Sequence, residues 1–285
     1  RSMTTDAFAD GAGPACDIIG AGADLVMLPA PSSVSTRDEL HPLARGLADR
    51  FRCIVPDWPG FGDRDRPRTR PTPAVFHRHL HEVFAHEVDG AATLLACGHA
   101  AAYALTFAAA APERIDKLVL VAPTWRGPLP TAMGVHRRAL WRRVRRLIEL
   151  PVVGPLVYRL NVSRPVVRHM LREHVYAEAA FVTPERVDAK TAVTRQRRAR
   201  FATAAFVTGG LDAVDERAAF LDLLARAPKP ILLVRGDATP RKSAAEMAAM
   251  SDSPGVEDVT VEGALGAFEE SAGDVASAVR RFLGA

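Results

Sequence analysis

The stretch from Thr93 to Leu105 limits this chain more than any other. Thr93-Leu94-Leu95-Ala96-Cys97 is a short apolar run of strand length, Gly98 is a turn former, and Ala100 to Leu105 is a small-residue run with helical character. A strand that passes through one glycine into a helix is the repeating joint of a parallel sheet covered by helices, because parallel neighbours need a crossover.

The rest of the sequence repeats that joint. Apolar runs at 24–28, 52–56, 93–97, 117–122, 231–235 and 258–262 read as strands. Between them lie stretches with apolar residues at helical spacing, such as Leu40, Leu43, Ala44 and Leu47, then 75–88, 101–111, 243–250 and 274–283. Such alternation predicts an α/β fold with a mostly parallel, doubly wound sheet. The pattern breaks once, after Trp125-Arg126-Gly127-Pro128. The predicted organisation is an α/β core over 3–124, a helical lid over 125–211 and the remainder of the core over 212–285.

Charge separates the lid from the core. The chain carries 37 Lys and Arg against 33 Asp and Glu, a net charge of +4. Sixteen of those bases but only five of the acids fall between His136 and Arg200, so the remainder is acidic on balance. A basic insert attracts an anionic group, a carrier protein or a membrane surface, or else serves as a solvated helix face. Leu140, Trp141, Val144, Leu147 and Ile148 form an apolar stripe beside these arginines. The stripe suits a helix docked on the core or one lying on a membrane. Docking is the expectation, since Pro151 and Gly154-Pro155 soon break the helix. Cys16, Cys53 and Cys97 are odd in number and far apart, as in a reducing compartment. No signal peptide or spanning segment is read, so a cytoplasmic location is expected. No nucleic-acid partner, cofactor or metal is expected; His81-Glu82-Val83-Phe84-Ala85-His86 spaces its histidines one residue too far for a zinc-protease helix.

These segments together resemble the α/β-hydrolase superfamily over nearly the whole chain. Val55-Pro56-Asp57-Trp58-Pro59-Gly60-Phe61-Gly62 is similar to its D-x-x-G-x-G turn, with Asp65-Arg66-Pro67 keeping the downstream part. Gly98-His99-Ala100-Ala101-Ala102 resembles its G-x-S-x-G nucleophile elbow. Val121 to Pro128 and Phe206 to Gly210 resemble a narrower hydrolase-like branch with a G-H-A elbow. The resemblance implies a catalytic triad, and on this reading all three positions are altered. Ala100 stands at the nucleophile position, Thr239 at the acid position of Gly236-Asp237-Ala238-Thr239, and Phe268 at the histidine position. No histidine follows His174, and Leu28-Pro29-Ala30-Pro31 replaces the usual H-G-x-P oxyanion loop.

Ligands in open α/β sheets bind at the carboxyl ends of the strands. The pocket lining expected there is Pro29, Ala30, Ser32, Ser33, Thr124 and Trp125, beside Ala100, Thr239 and Phe268. His99 and Asp57 are the candidate acid–base residues. Two readings stay open: a non-hydrolytic enzyme (cyclase, isomerase or lyase) acting on an apolar small molecule, with biosynthesis as its expected setting, or a catalytically inactive ligand-binding or accessory protein. A hydrolase with relocated catalytic residues ranks behind both.

Overall fold

The computed structural model describes residues 14–62, 66, 71–133 and 138–285. Seven strands form one sheet: β1 (Cys16–Ile19), β2 (Ala23–Leu28), β3 (Phe51–Pro56), β4 (Ala92–Cys97), β5 (Ile115–Val121), β6 (Ile231–Gly236) and β7 (Val256–Val261). Their order is β1-β3-β2-β4-β5-β6-β7; β1 pairs antiparallel with β3, and every other pairing is parallel. The six expected strands all form. The edge strand β1 was not expected from the sequence, because four residues containing Asp17 carry too little apolar pattern.

The two faces of the sheet follow from the period of two along each strand. Leu94 and Ala96 of β4 point with Leu118 and Leu120 of β5 into one layer. That layer is packed by α2 (Pro73–Glu87), α3 (Ala100–Ala110) and α10 (Arg217–Arg226). Leu95 and Cys97 point with Val119 and Val121 into the other, packed by α1 (His41–Arg45), α12 (Ala267–Glu270) and α13 (Ala272–Leu283). Strands buried on both faces explain the unbroken apolar runs in the sequence.

Between β5 and α10 the chain leaves the sheet and builds a helical insertion. It contains α4 (Pro128–Met133), α5 (Arg138–Glu149), α6 (Val153–Asn161), α7 (Arg164–Met170), α8 (Pro184–Thr194) and α9 (Ala199–Val207). A small core of its own, Val167, Leu171, Tyr176, Val182 and Val187, closes on Val34 of the loop after β2. The helix α11 (Arg241–Ser251) follows β6. The expected apolar stripe of α5 docks only in part. Trp141 is buried, but Leu140 and Leu147 face solvent. Asp65, Pro67 and Arg137 lie outside the described residues.

Candidate functional site

The carboxyl end of β4 sets the geometry. The strand ends at Cys97, the helix starts at Ala100, and the turn between them is made by Gly98 at φ +53°. This left-handed backbone costs a side-chain-bearing residue strain that glycine avoids. The turn is pinned by Gly98 N–H donating to Val121 O at 3.0 Å and by Thr124 N–H donating to Gly98 O at 3.0 Å. A Cβ built on Gly98 would meet Cβ of Ala30 at 3.1 Å, so the loop after β2 lies directly over the turn. Trp58 holds that loop by donating its Nε1–H to Pro29 O at 2.7 Å.

His99 is the next residue, only 2% exposed. Its Nε2 is 3.0 Å from Leu211 O and 3.4 Å from Asp212 Oδ1. A backbone carbonyl can only accept, so Nε2–H donates to Leu211 O and Nδ1 is the ring nitrogen left over. That buried Nδ1 has no hydrogen-bond partner. Asp212 is fixed in turn by Gly127 N–H, which donates to its Oδ1 at 2.8 Å. Burial pushes the Asp212 carboxyl up from the usual carboxylate range, with His99 pulling the other way. Phe206 meets the imidazole edge-on at 5.5 Å, and Tyr103 donates to the same Leu211 carbonyl at 2.6 Å.

A second polar cluster joins the insertion to the core. Lys190 of α8 is buried and bonds Glu39, which precedes α1, and Glu269 of α12, the latter at 3.0 Å. Glu269 also accepts from Tyr176 OH at 2.6 Å and from Arg186. Glu270 accepts from the N–H groups of Ala177 and Glu178 at 3.0 and 2.5 Å. Burial raises Glu39 to about 7; Lys190 opposes that shift and the nearby Glu269 carboxylate adds to it. Lys190 itself is raised, since the two carboxylates outweigh the cost of burying its charge. Both shifts describe one arrangement, two carboxylates sharing one ammonium, in which a retained ammonium tolerates a proton on Glu39.

A seven-stranded sheet in this order, with a glycine turn after β4 and a helical insertion after β5, agrees with one further finding. The sequence profile of the alpha/beta hydrolase family matches residues 22–278. The chain belongs to that family. Among solved structures, a thermophilic esterase from Thermogutta terrifontis superposes with a TM-score of 0.70 at 23% identity, covering 95% of this chain and 92% of that one. A hydrolase from Pseudomonas aeruginosa PA01 gives 0.70 at 22% identity, covering 98% and 97%. A meta-cleavage product hydrolase from Pseudomonas fluorescens IP01 gives 0.72 at 16% identity, covering 94% and 93%. At these identities the likeness is one of fold. No curated protein matches the chain in sequence.

Within the alpha/beta hydrolase fold several expected positions move. The turn residue is Gly98, not Ala100, which is already helical and fully buried in the α3 layer. Trp125 turns away from the strand ends, stacking on Phe220 at 6.3 Å and donating to Glu246 at 3.3 Å. Phe268 packs in the α1–α13 layer. The Thr239 hydroxyl donates to Gly236 O at 2.7 Å, closing its own turn. Asp57 is engaged by Arg37, whose backbone N–H donates to it at 3.0 Å and whose guanidinium pairs with it. A Cβ on Gly62 would strike that carboxylate, so Asp57 braces its own turn and is not set up for proton transfer. Pro29 and Ala30 stay with the site; Ser32 and Ser33 follow in the same loop, half-buried. The α2 histidines do not gather: His77 packs on Tyr103 at 5.0 Å and His81 on Phe107 at 4.8 Å. Asp212, Glu39, Lys190 and Glu269 were not found from the sequence, because each meets its partner only through the tertiary fold. Among the described residues no helix is long and apolar enough to cross a membrane.

Proposed function

We propose that this alpha/beta hydrolase-fold protein is a non-hydrolytic enzyme of the isomerase, lyase or cyclase type. Its substrate would be an apolar small molecule, with His99 transferring a proton and Asp212 orienting it. The observation that carries the reading is the setting of His99: Nε2 lies within 3.0 Å of Leu211 O and 3.4 Å of Asp212 Oδ1, while the buried Nδ1 has no hydrogen-bond partner. A base fixed by a second group is the arrangement general acid–base catalysis needs. When Nδ1 takes a proton the ring becomes cationic, and the Asp212 carboxylate at 3.4 Å stabilises that charge. The first N–H groups of α3, those of His99 and Ala100, have no carbonyl one turn earlier in the helix. They favour negative charge developing on a substrate oxygen at the same end. The triad route lacks support, since Gly98 has no side chain and no histidine follows His174.

In this reading the helical insertion is a lid over the carboxyl ends of the strands, and the Lys190 cluster is its fastening. That fastening also favours a second reading, a ligand-binding or accessory protein whose lid stays shut. Deuterium uptake from D2O into apolar carbonyl compounds separates the two. Enzyme-catalysed exchange should fall by about 10²–10⁴-fold in His99→Gln. Catalysed exchange indifferent to His99 removes His99 as the base, and no catalysed exchange in the parent leaves only the binding reading. Ester hydrolysis lost with His99 means a hydrolase with relocated residues, and labelling by a fluorophosphonate sinks the non-hydrolytic reading.

A further inference from the structure

The apolar surface of this protein is unevenly placed. Among the described residues every exposed large hydrophobic except Ile18 lies between Met133 and Val166, in the first half of the insertion. The densest part is the corner where α5 turns into α6. Val152 is 83% exposed, and Leu156 and Leu160 follow at four-residue steps with 61% and 63% exposed. One helical stripe therefore points outward, with Leu147 of α5 and Leu150 just after that helix exposed as well. Contiguous exposed apolar surface of this kind marks an interaction site.

The rim of the corner has one sign of charge. Arg142, Arg143, Arg146 and Arg159 are exposed. The sole acid between Arg138 and Arg164 is Glu149, whose side chain is only 7% exposed and bonded to Arg145 at 2.9 Å. Beside α6 opens a cavity of about 770 Å³. Arg159, Arg164, Arg195, Arg197 and Arg200 line it, with Tyr158 and Phe201 as aromatic wall. An apolar tip, a cationic collar and a basic hollow at the side match the layers of an anionic bilayer: acyl chains, headgroup plane and lipid phosphate.

We propose that the α5–α6 corner docks this protein onto the surface of an anionic phospholipid membrane. α6 runs from Val153 to Asn161, far shorter than the ~20 residues a bilayer core requires, so it lies in the interface. A second copy of the chain is the poorer occupant, because two arginine collars would face each other across the contact. The proposal is independent of the chemistry at His99, and each survives the failure of the other.

The test is flotation of the full chain with vesicles of phosphatidylcholine, with and without phosphatidylglycerol, at low and high salt. Binding should require phosphatidylglycerol and weaken as salt rises. The variant Val152→Ser/Leu156→Ser/Leu160→Ser and the variant Arg142→Gln/Arg143→Gln/Arg146→Gln/Arg159→Gln should each lower vesicle affinity by at least about tenfold. All seven positions named are exposed, so both variants should keep the parent denaturation midpoint. A parent that ignores anionic vesicles at low salt overturns the proposal. So does equal vesicle binding by the serine variant. A parent dimer that the serine variant abolishes, with no vesicle binding by either protein, assigns the corner to self-association instead. Binding of soluble glycerol phosphate by a parent that does not bind vesicles would assign the hollow to a free phosphate and equally overturn membrane docking.

Discussion

The insertion meets the strand ends along two seams, one at His99 and one at Lys190, and they use buried polar groups in opposite ways. At the His99 seam one imidazole and one carboxylate meet, and one ring nitrogen is left unengaged. At the Lys190 seam one ammonium serves two carboxylates from separate elements, with Tyr176 and Arg186 adding to the same Glu269. In the proposed reading the unengaged nitrogen is the one that takes a proton, while the ammonium only holds its neighbours together. The two seams thus differ in how completely their buried polar groups are satisfied.

The comparison makes predictions that differ in size. Lys190→Met should be the costliest change, because it removes the cation between Glu39 and Glu269 and leaves Glu39 buried beside a carboxylate that only Arg186 and Tyr176 still engage. Removing one partner of a buried ion pair costs about 3–5 kcal/mol, read as a lower urea midpoint. If the loss is under about 1 kcal/mol, the seam is no firmer than a surface ion pair. Asp212→Ala should cost about 1–3 kcal/mol, since the Gly127 N–H loses its acceptor, and Asp212→Asn should recover most of it. Equal losses in the two variants would show that Asp212 acts through its charge and not through that bond.

Gly98→Ser should cost about 1–2 kcal/mol for a side chain at positive φ and should give no esterase activity. Activity from that single change would mean that a base already faces residue 98. A further prediction concerns pH. Glu39 is raised from 4.5 to about 7, so across that window the folded chain holds a proton that the unfolded chain has released. Stability from this group is complete below pH 4.5 and is lost as pH rises towards 7. Glu39→Gln should flatten this part of the melting profile, and an unchanged profile would assign the slope to another group.

How far the sequence foretold these seams depends on how local each one is. The strands declared themselves through period and burial, and His99 through its place beside a glycine turn. The glycine turn was read at Gly98, but the nucleophile position was set at Ala100 by matching G-x-S-x-G from Gly98, whereas the positive φ falls on Gly98 itself and Ala100 already lies in the helix. Phe268 and Trp125 were assigned to the site by their position after a strand, but large apolar rings were drawn into the two core layers instead. Glu39 and Lys190 are 151 residues apart, and His99 and Asp212 meet across the insertion; nothing in a single sequence links such pairs.

The reach of the Lys190 fastening also bears on how the chain is made. Synthesis runs from the amino end, and α8 is complete at Thr194 long before α12 begins at Ala267. A ribosome adding roughly 5–20 residues each second would leave the insertion without its anchor for several seconds. During that interval Lys190 has Glu39 for company but not Glu269, and Tyr176 and Arg186 have no carboxylate to receive them. A nascent chain stalled before Glu269 would therefore present a loosely tethered, arginine-rich arm, and emergence of Glu269 would draw it down.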